Sequence, residues 1–313
     1  MTGPMHADEI AIDEALVRRL LAAQFPAWAS LPLAPVREAG TDHALWRLGD
    51  DLAARLPRIP SAARQAAKEH EWLPRLAPSL PLAVPLPVGI GAPGAGYPWR
   101  WTVQRWLPGE PATPERLADP GAAAETLARF LVALRRIDAT DGPPPGEHNF
   151  GRGEPLANRD AETRAAIAEL DGLGLLDPAT ATAVWDAALA APVWDGPPTW
   201  LHGDLLPGNL LACDGALTAV IDFGGLGVGD PAVDLLPAWA LFPAAARARF
   251  RAALGADDAS WARGRGWALS FGAIALPYYR ETNRALAGVA RRAITAAIAD
   301  LGRGPEPEAA VTG

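Results

Sequence analysis

The residues in this chain best suited to chemistry lie between His202 and Gly224. The stretch runs His202-Gly203-Asp204-Leu205-Leu206-Pro207-Gly208-Asn209 and ends at Ile221-Asp222-Phe223-Gly224. Two short apolar runs, 209–212 and 217–221, flank the turn Cys213-Asp214-Gly215, which spells a β-hairpin. The hairpin brings Asn209 beside Asp222, an amide oxygen next to a carboxylate. These are oxygen ligands suited to magnesium carrying nucleotide phosphates. Asp204, on the loop before the hairpin, is placed to face the same space as a base orienting an acceptor hydroxyl. Phosphoryl transfer needs this inventory, together with a cation on the nucleotide phosphates.

Those residues must be held by a frame of some size. The chain has 313 residues, half of them apolar and a fifth charged, enough for a full core divided into two lobes. A single cysteine, Cys213, excludes an intramolecular disulfide and fits a reducing cytoplasm. The N-terminal stretch has no basic, apolar and cleavage-site succession, so no secretory signal is expected. The apolar stretch 235–246 is interrupted by Pro237 and Pro243 and falls short of a membrane span, so no membrane partner is expected. A net charge of −8 disfavours a nucleic-acid partner held through phosphates. Of 28 basic residues only Lys68 is lysine, so a mechanism that needs a cation must use that one or an arginine.

Along the chain, residues 8–25 carry a helical stripe of Ile12, Leu16 and Leu20 closed by Pro26. Three antiparallel strands follow between Ala34 and Pro57, the third being LAARLP. The segment 61–76 is predicted as a helix with Ser61 as its N-cap. Its spacing turns Glu69 inward with Ala62, Gln65, Trp72, Leu73 and Leu76, and leaves Lys68 and Glu71 toward solvent. The run WRWTVQRWL over 99–107 is predicted as a strand ending at the turn Pro108-Gly109. Helices are predicted over 115–137 and, singly or as a pair, over 160–189; mostly helical chain follows the hairpin. Asp230 before Pro231 reads as an N-cap, with Asp234 anchoring the same helix. The loop 143–153 either borders an acceptor pocket or is plain packing, and most of the twelve tryptophans read as core.

The spacing H-x-D-x-x-x-x-N followed by D-F-G resembles the protein-kinase catalytic core. With Gly203 after the histidine and Gly229-Asp230-Pro231-Ala232-Val233-Asp234-Leu235 downstream, the chain resembles the aminoglycoside phosphotransferase family more closely, over roughly Gly40 to Tyr279. That resemblance implies Asp204 as catalytic base, Asn209 and Asp222 as Mg2+ ligands, and His202 as a support of the catalytic loop. It implies a bilobal, protein-kinase-like α+β fold. Residues 1–107 would form a small antiparallel-sheet nucleotide-binding lobe and 108–313 a larger, mostly helical catalytic lobe. Kinase-like folds pair a third-strand lysine with an inward glutamate of the next helix. Here the third strand offers Arg55, and Glu69 is its expected partner. Gly40 and Thr41 would cover phosphates, and Gln104 and Trp106 would lie in the interlobe hinge that meets the adenine. The expected activity is ATP-dependent phosphorylation of a hydroxyl on a small molecule, with GTP as the other candidate donor. The acceptor would be an aminoglycoside or related antibiotic, or else a metabolite alcohol such as choline, an amino alcohol or a sugar. A protein kinase is disfavoured because no A-P-E follows Asp222 and little room is left for an activation segment. A nucleotide-binding pseudokinase is the remaining alternative, motivated by Arg55 standing where a lysine is usual.

Overall fold

A helix of eleven residues, α1 (Glu14–Gln24), opens the described chain, and Asp13 caps it by accepting the Leu16 amide at 2.7 Å. Its Leu16, Val17, Leu20 and Leu21 fall on one face and are buried. The computed structural model describes residues 10–36 and 42–302, so Gly40 and Thr41 lie outside the described residues. The helix covers an antiparallel sheet of β1 (Leu33–Pro35), β2 (His43–Leu48), β3 (Leu52–Pro57), β4 (Pro87–Gly91) and β5 (Trp101–Arg105), in the order β1-β2-β3-β5-β4. Between β3 and β4 runs α2 (Pro60–Leu76), which starts one residue earlier than predicted. Pro60 occupies its first position, and Ile59, not Ser61, is the cap residue.

The rest is mostly helical: α3 (Pro120–Arg135), α4 (Asp160–Gly172), α5 (Pro178–Ala190), α6 (Pro237–Ala240), α7 (Ala244–Leu254), α8 (Asp258–Tyr279) and α9 (Arg284–Leu301). Two small sheets sit among these helices. One joins β6 (Glu110–Pro111), β8 (Leu210–Cys213) and β9 (Ala216–Val220); the other pairs β7 (Thr199–Leu201) with β10 (Gly227–Gly229). Among the described residues no helix is long and apolar enough to cross a membrane.

Two apolar cores result. One gathers residues between Leu16 and Val103 under the large sheet; the other runs from Leu73 to Ala297. The C-terminal end of α2, Leu73 and Leu76, packs into the larger core, so this helix bridges the sheet and the helical region. Seven of the twelve tryptophans are buried, as expected for packing residues. Trp72 leans on Trp200 of β7 with ring centroids 4.8 Å apart.

Candidate active site

The β8–β9 hairpin turns at Asp214 and Gly215, whose φ values of +51° and +80° are the pair a two-residue type I′ turn requires. Register then does the positioning. Leu210 faces Val220, and the Ile221 amide donates to the Asn209 carbonyl at 2.9 Å. Asn209 and Asp222 therefore leave the two ends of one hairpin side by side. The β7–β10 pair supplies the second constraint, placing Leu201 opposite Gly227. Gly203 follows at φ +82°, and a methyl group there would lie 2.3 Å from the Gly225 carbonyl oxygen, so only glycine fits.

The loop from His202 to Asp204 is fastened from beneath. The buried carboxylate of Asp234 accepts the amides of His202 and Gly203, both at 2.8 Å. The Asp204 amide donates to His202 Nδ1 at 3.1 Å, and His202 Nε2 lies 3.1 Å from the Ile221 carbonyl. A carbonyl only accepts, so the imidazole carries its proton on Nε2 and links the loop to the hairpin. Sequence spacing assigned Asp234 to the helix capped by Asp230, and the structure corrects this. Asp230 does cap the following 3₁₀ turn, accepting the Ala232 amide at 3.0 Å, but its buried partner is Arg263 at 2.8 Å. Asp234 belongs to the loop because β7 crosses directly beside that turn, a long-range fact that local spacing does not carry. Asp234→Ala should leave two buried amides unsatisfied and cost about 2–5 kcal/mol of stability. Urea denaturation measures it, and a loss under about 1 kcal/mol would refute the fastening role.

Asp204 is half-buried. Its Oδ2 accepts from Asn209 Nδ2 at 3.0 Å, and the same amide group donates to the Asp204 carbonyl at 2.8 Å. With its nitrogen committed there, the Asn209 side-chain oxygen is left to face a cation. Burial pushes the Asp204 carboxyl above its ordinary range; the Arg152 guanidinium opposes that shift and Asp222 adds to it.

Across the cleft, Arg55 on β3 pairs with Glu69 on α2 and reaches Asp222 Oδ1 at 3.2 Å. Its Nη2 also lies 3.3 Å from His43 Nδ1. Burial and the Arg55 charge hold the His43 imidazole well below its usual range, so it is neutral and accepts. Burial pushes the Glu69 carboxyl up, with Arg55 as the chief counterweight. Asp222 itself sits in left-handed backbone, at φ 61° and ψ 71°, and is partly open to solvent. The structure thus lines up two bonded sets, Arg55 with Glu69 and Asp222, and Asp204 with Asn209, joined through the hairpin backbone where the Ile221 amide meets the Asn209 carbonyl.

The oxygens fit a hard cation. Asn209 and Asp222 supply an amide and a carboxylate oxygen, and no group of three His, Cys, Asp or Glu residues able to hold a metal exists among the described residues. Phosphate oxygens and water would have to complete the shell, which is how Mg2+ is commonly held.

Two sequence-predicted positions stand apart from this line. Gln104 lies in β5, opposite Ala53 of β3 and Pro87 of β4. The Trp106 amide donates to the Asp51 carbonyl at 2.8 Å, and its ring is covered by the Arg47 guanidinium at 4.2 Å. That amide is therefore not free for a base edge.

Lys68 departs most from the sequence reading. Instead of facing solvent, its Nζ donates to the Gly224 carbonyl at 2.9 Å and lies 3.0 Å from His148 Nδ1. His148 Nε2 is 2.7 Å from the Pro144 carbonyl, so the proton is on Nε2 and Nδ1 accepts from the lysine. Helical spacing assigns a side of α2 but not what packs there, and here the turn after Asp222 and the 143–153 loop do. Glu71 is exposed as predicted and pairs with Arg75. Burial lowers the Lys68 amine to about 8 from 10.5. The folded state therefore releases this proton before the unfolded chain does. Between those two values the unfolded state binds more protons, and stability should rise with pH. Relative to Lys68→Met, wild type should gain stability from about pH 8 to 10.5 in urea titrations. A difference independent of pH would contradict the burial.

Sequence reasoning missed His43, Lys68 and Asp234, each of which acts through a neighbour at least 12 positions away that no local pattern marks, and the buried Asn149, whose partners Gly146 and Arg152 lie three residues to either side.

A small antiparallel sheet with one bridging helix, a helical region, and a carboxylate–amide–carboxylate set on a loop and hairpin together define a kinase-like phosphotransferase. The family model described as "phosphotransferase enzyme family" (APH) matches residues 34–267, and the chain belongs to that family. It is a phosphotransferase. No curated protein matches the chain. Among solved structures, the GDP complex of wild-type aminoglycoside 2'-phosphotransferase-IIIa is similar with TM-score 0.70 and 20% identity, over 93% of this chain and 100% of that one. The GDP and kanamycin complex of an APH(2") enzyme gives 0.69 and 20%, over 91% and 98%. Macrolide 2'-phosphotransferase MphH from Brachybacterium faecium gives 0.58 and 25%, over 90% and 98%.

Proposed function

We propose that this chain transfers the γ-phosphoryl group of ATP to a hydroxyl of a small molecule, with Mg2+ held by Asn209 and Asp222. The convergence of Asp204, Asn209 and Asp222 at the ends of one loop and one hairpin supports this most directly. Bound there, the metal would neutralise phosphate oxygens. Asp204 accepts the proton of the acceptor hydroxyl, and the Asn209 amide keeps its carboxylate aimed. Arg55, steadied by Glu69, sets positive charge against the nucleotide phosphates; its link to Asp222 ties the two halves of the site together. As arginine it offers a planar fork where lysine would offer a point charge. Gly40 and Thr41 are assigned to phosphate cover. In the hinge assigned to Gln104 and Trp106, the Leu107 amide makes no hydrogen bond among the described residues and is the freer donor for a purine edge.

Residues 1–107 serve as the nucleotide lobe and 108–313 as the catalytic and acceptor lobe. ATP as donor places the reaction in the cytoplasm, and GTP is the alternative donor. For the acceptor, the kanamycin and macrolide named for similar structures make an antibiotic hydroxyl the first candidate and a metabolite alcohol the second. Neither nucleic acid nor membrane is a partner in this reading.

The test is ADP release from Mg-ATP across aminoglycosides, macrolides, choline, amino alcohols and sugars. Stimulation by one class identifies the acceptor. Nucleotide binding with no transfer to any acceptor, water included, would favour the binding-only alternative that Arg55 in a lysine's place suggests.

A further inference from the structure

Between α3 and α4 the chain forms a loop that is held more firmly than its glycine and proline content suggests. Fully buried Asn149 accepts the Gly146 amide at 3.0 Å and donates to the Arg152 carbonyl at 2.9 Å. The Val228 amide donates to the Pro143 carbonyl and the Asp230 amide to the Gly153 carbonyl, both at 3.0 Å, so β10 and its exit grip the loop at both ends. Arg152 is presented on this scaffold against the catalytic loop: a methyl group added to Gly203 would meet its Cβ at 3.2 Å.

The Arg152 guanidinium then lies over the indole of buried Trp267, 5.6 Å from the ring centroid, while that of Arg159 lies over the same indole at 5.2 Å. Arg159 is satisfied by Glu162 at 3.2 Å and by Ser270 Oγ at 3.2 Å. Arg152 has neither a carboxylate nor a hydrogen-bond acceptor on its guanidinium among the described residues, although its field is the main one opposing the burial of Asp204. Two guanidiniums thus share one ring: Arg159 is bonded to Glu162 and has Glu154 in its field, whereas Arg152 carries no bonded carboxylate among the described residues and faces the field of Asp204, the residue assigned as base. A rigid loop that holds an unpaired planar fork there forms half of a bidentate site for an oxyanion.

We propose that Arg152, backed by Arg159 on Trp267, forms an acceptor subsite for an anionic group, a carboxylate or a phosphate, on the molecule whose hydroxyl meets Asp204. This rests on the reading of Asp204 as the base of a small-molecule kinase. It sets aside the aminoglycoside candidate in favour of an anionic hydroxyl compound among the metabolite alcohols, since a polycation would add charge to two arginines already close together, whereas an anion would relieve them.

The experiment uses the full chain saturated with MgADP, so that the nucleotide site is filled, titrated calorimetrically at fixed ionic strength. The probes are D-glucose, D-glucuronate, D-glucose 6-phosphate and kanamycin. At least one of the two anionic sugars should bind about tenfold or more tightly than glucose, as a charge-assisted pair predicts. Comparison of the two separates carboxylate from phosphate. Arg152→Gln should erase the preference without changing MgADP affinity, and Arg152→Lys should keep part of it, which a merely structural arginine would not do. The proposal is overturned if neither anion binds better than glucose, if kanamycin binds tightest, or if Arg152→Gln retains the preference. Failure of MgADP to bind at all would instead refute the kinase reading beneath it.

Discussion

Asp204→Asn is expected to lower phosphoryl transfer about 10³-fold while leaving Mg-ATP affinity near that of wild type. The substitution is isosteric, and the loop that carries it is held by Asp234 and His202, neither of which depends on the Asp204 carboxylate. What is lost is the acceptor for the hydroxyl proton. In wild type the carboxyl is pushed up by burial, so the ionised base is present only above a raised value. The acid limb of kcat/KM should therefore lie above the ordinary carboxylate range, with activity falling as pH drops through it, and should vanish in the variant. Steady-state rates over pH together with nucleotide titration test both parts. Transfer within tenfold of wild type would remove Asp204 from the chemistry.

Asp222→Asn should act on the nucleotide instead. Asparagine tolerates the left-handed backbone found at this position, so the turn should survive, whereas alanine would add strain to the loss of an oxygen. The charge is nevertheless gone from the end of the hairpin, and the 3.2 Å contact of Arg55 on that side is reduced from an ion pair to a hydrogen bond to an amide oxygen. The gain in nucleotide affinity on adding Mg2+ should shrink about 100-fold, and transfer should fall with it. Nucleotide affinity measured with and without Mg2+ decides the matter; an unchanged magnesium dependence would place the metal elsewhere. Since Glu69 still neutralises Arg55, metal-free nucleotide binding should change little.

The two substitutions thus separate chemistry from metal binding, and both positions were legible in the sequence, whereas some of their neighbours were not. Asp204, Asn209 and Asp222 could be read directly, because a two-residue hairpin turn fixes which positions meet at its ends. Glu69 was legible for a similar reason: 3.6-residue periodicity places it with Ala62, Gln65 and Leu73, and all four are buried. Arg55 followed from its place on the third strand. Lys68, on the same helix, was misread. Periodicity says which residues share a face but not which foreign segment lies against it, and the carbonyl it binds is 156 residues away. Asp234 was misread in the same way, being assigned to its own turn when its partners lie 31 and 32 residues upstream.

By itself the sequence determined the elements, the two-part architecture of sheet and helices, and the inventory of reactive groups, because turn chemistry and periodicity are local and act over a few residues. Only the tertiary structure decided what holds those groups and what stands beside them. The carboxylate under the catalytic loop, the lysine across the cleft, the neutral histidine against Arg55 and the unpaired guanidinium of Arg152 are all products of long-range packing. Burial pushes the Asp234 carboxyl up and the Lys68 amine and His43 imidazole down, and burial belongs to the assembled core, not to any segment of chain.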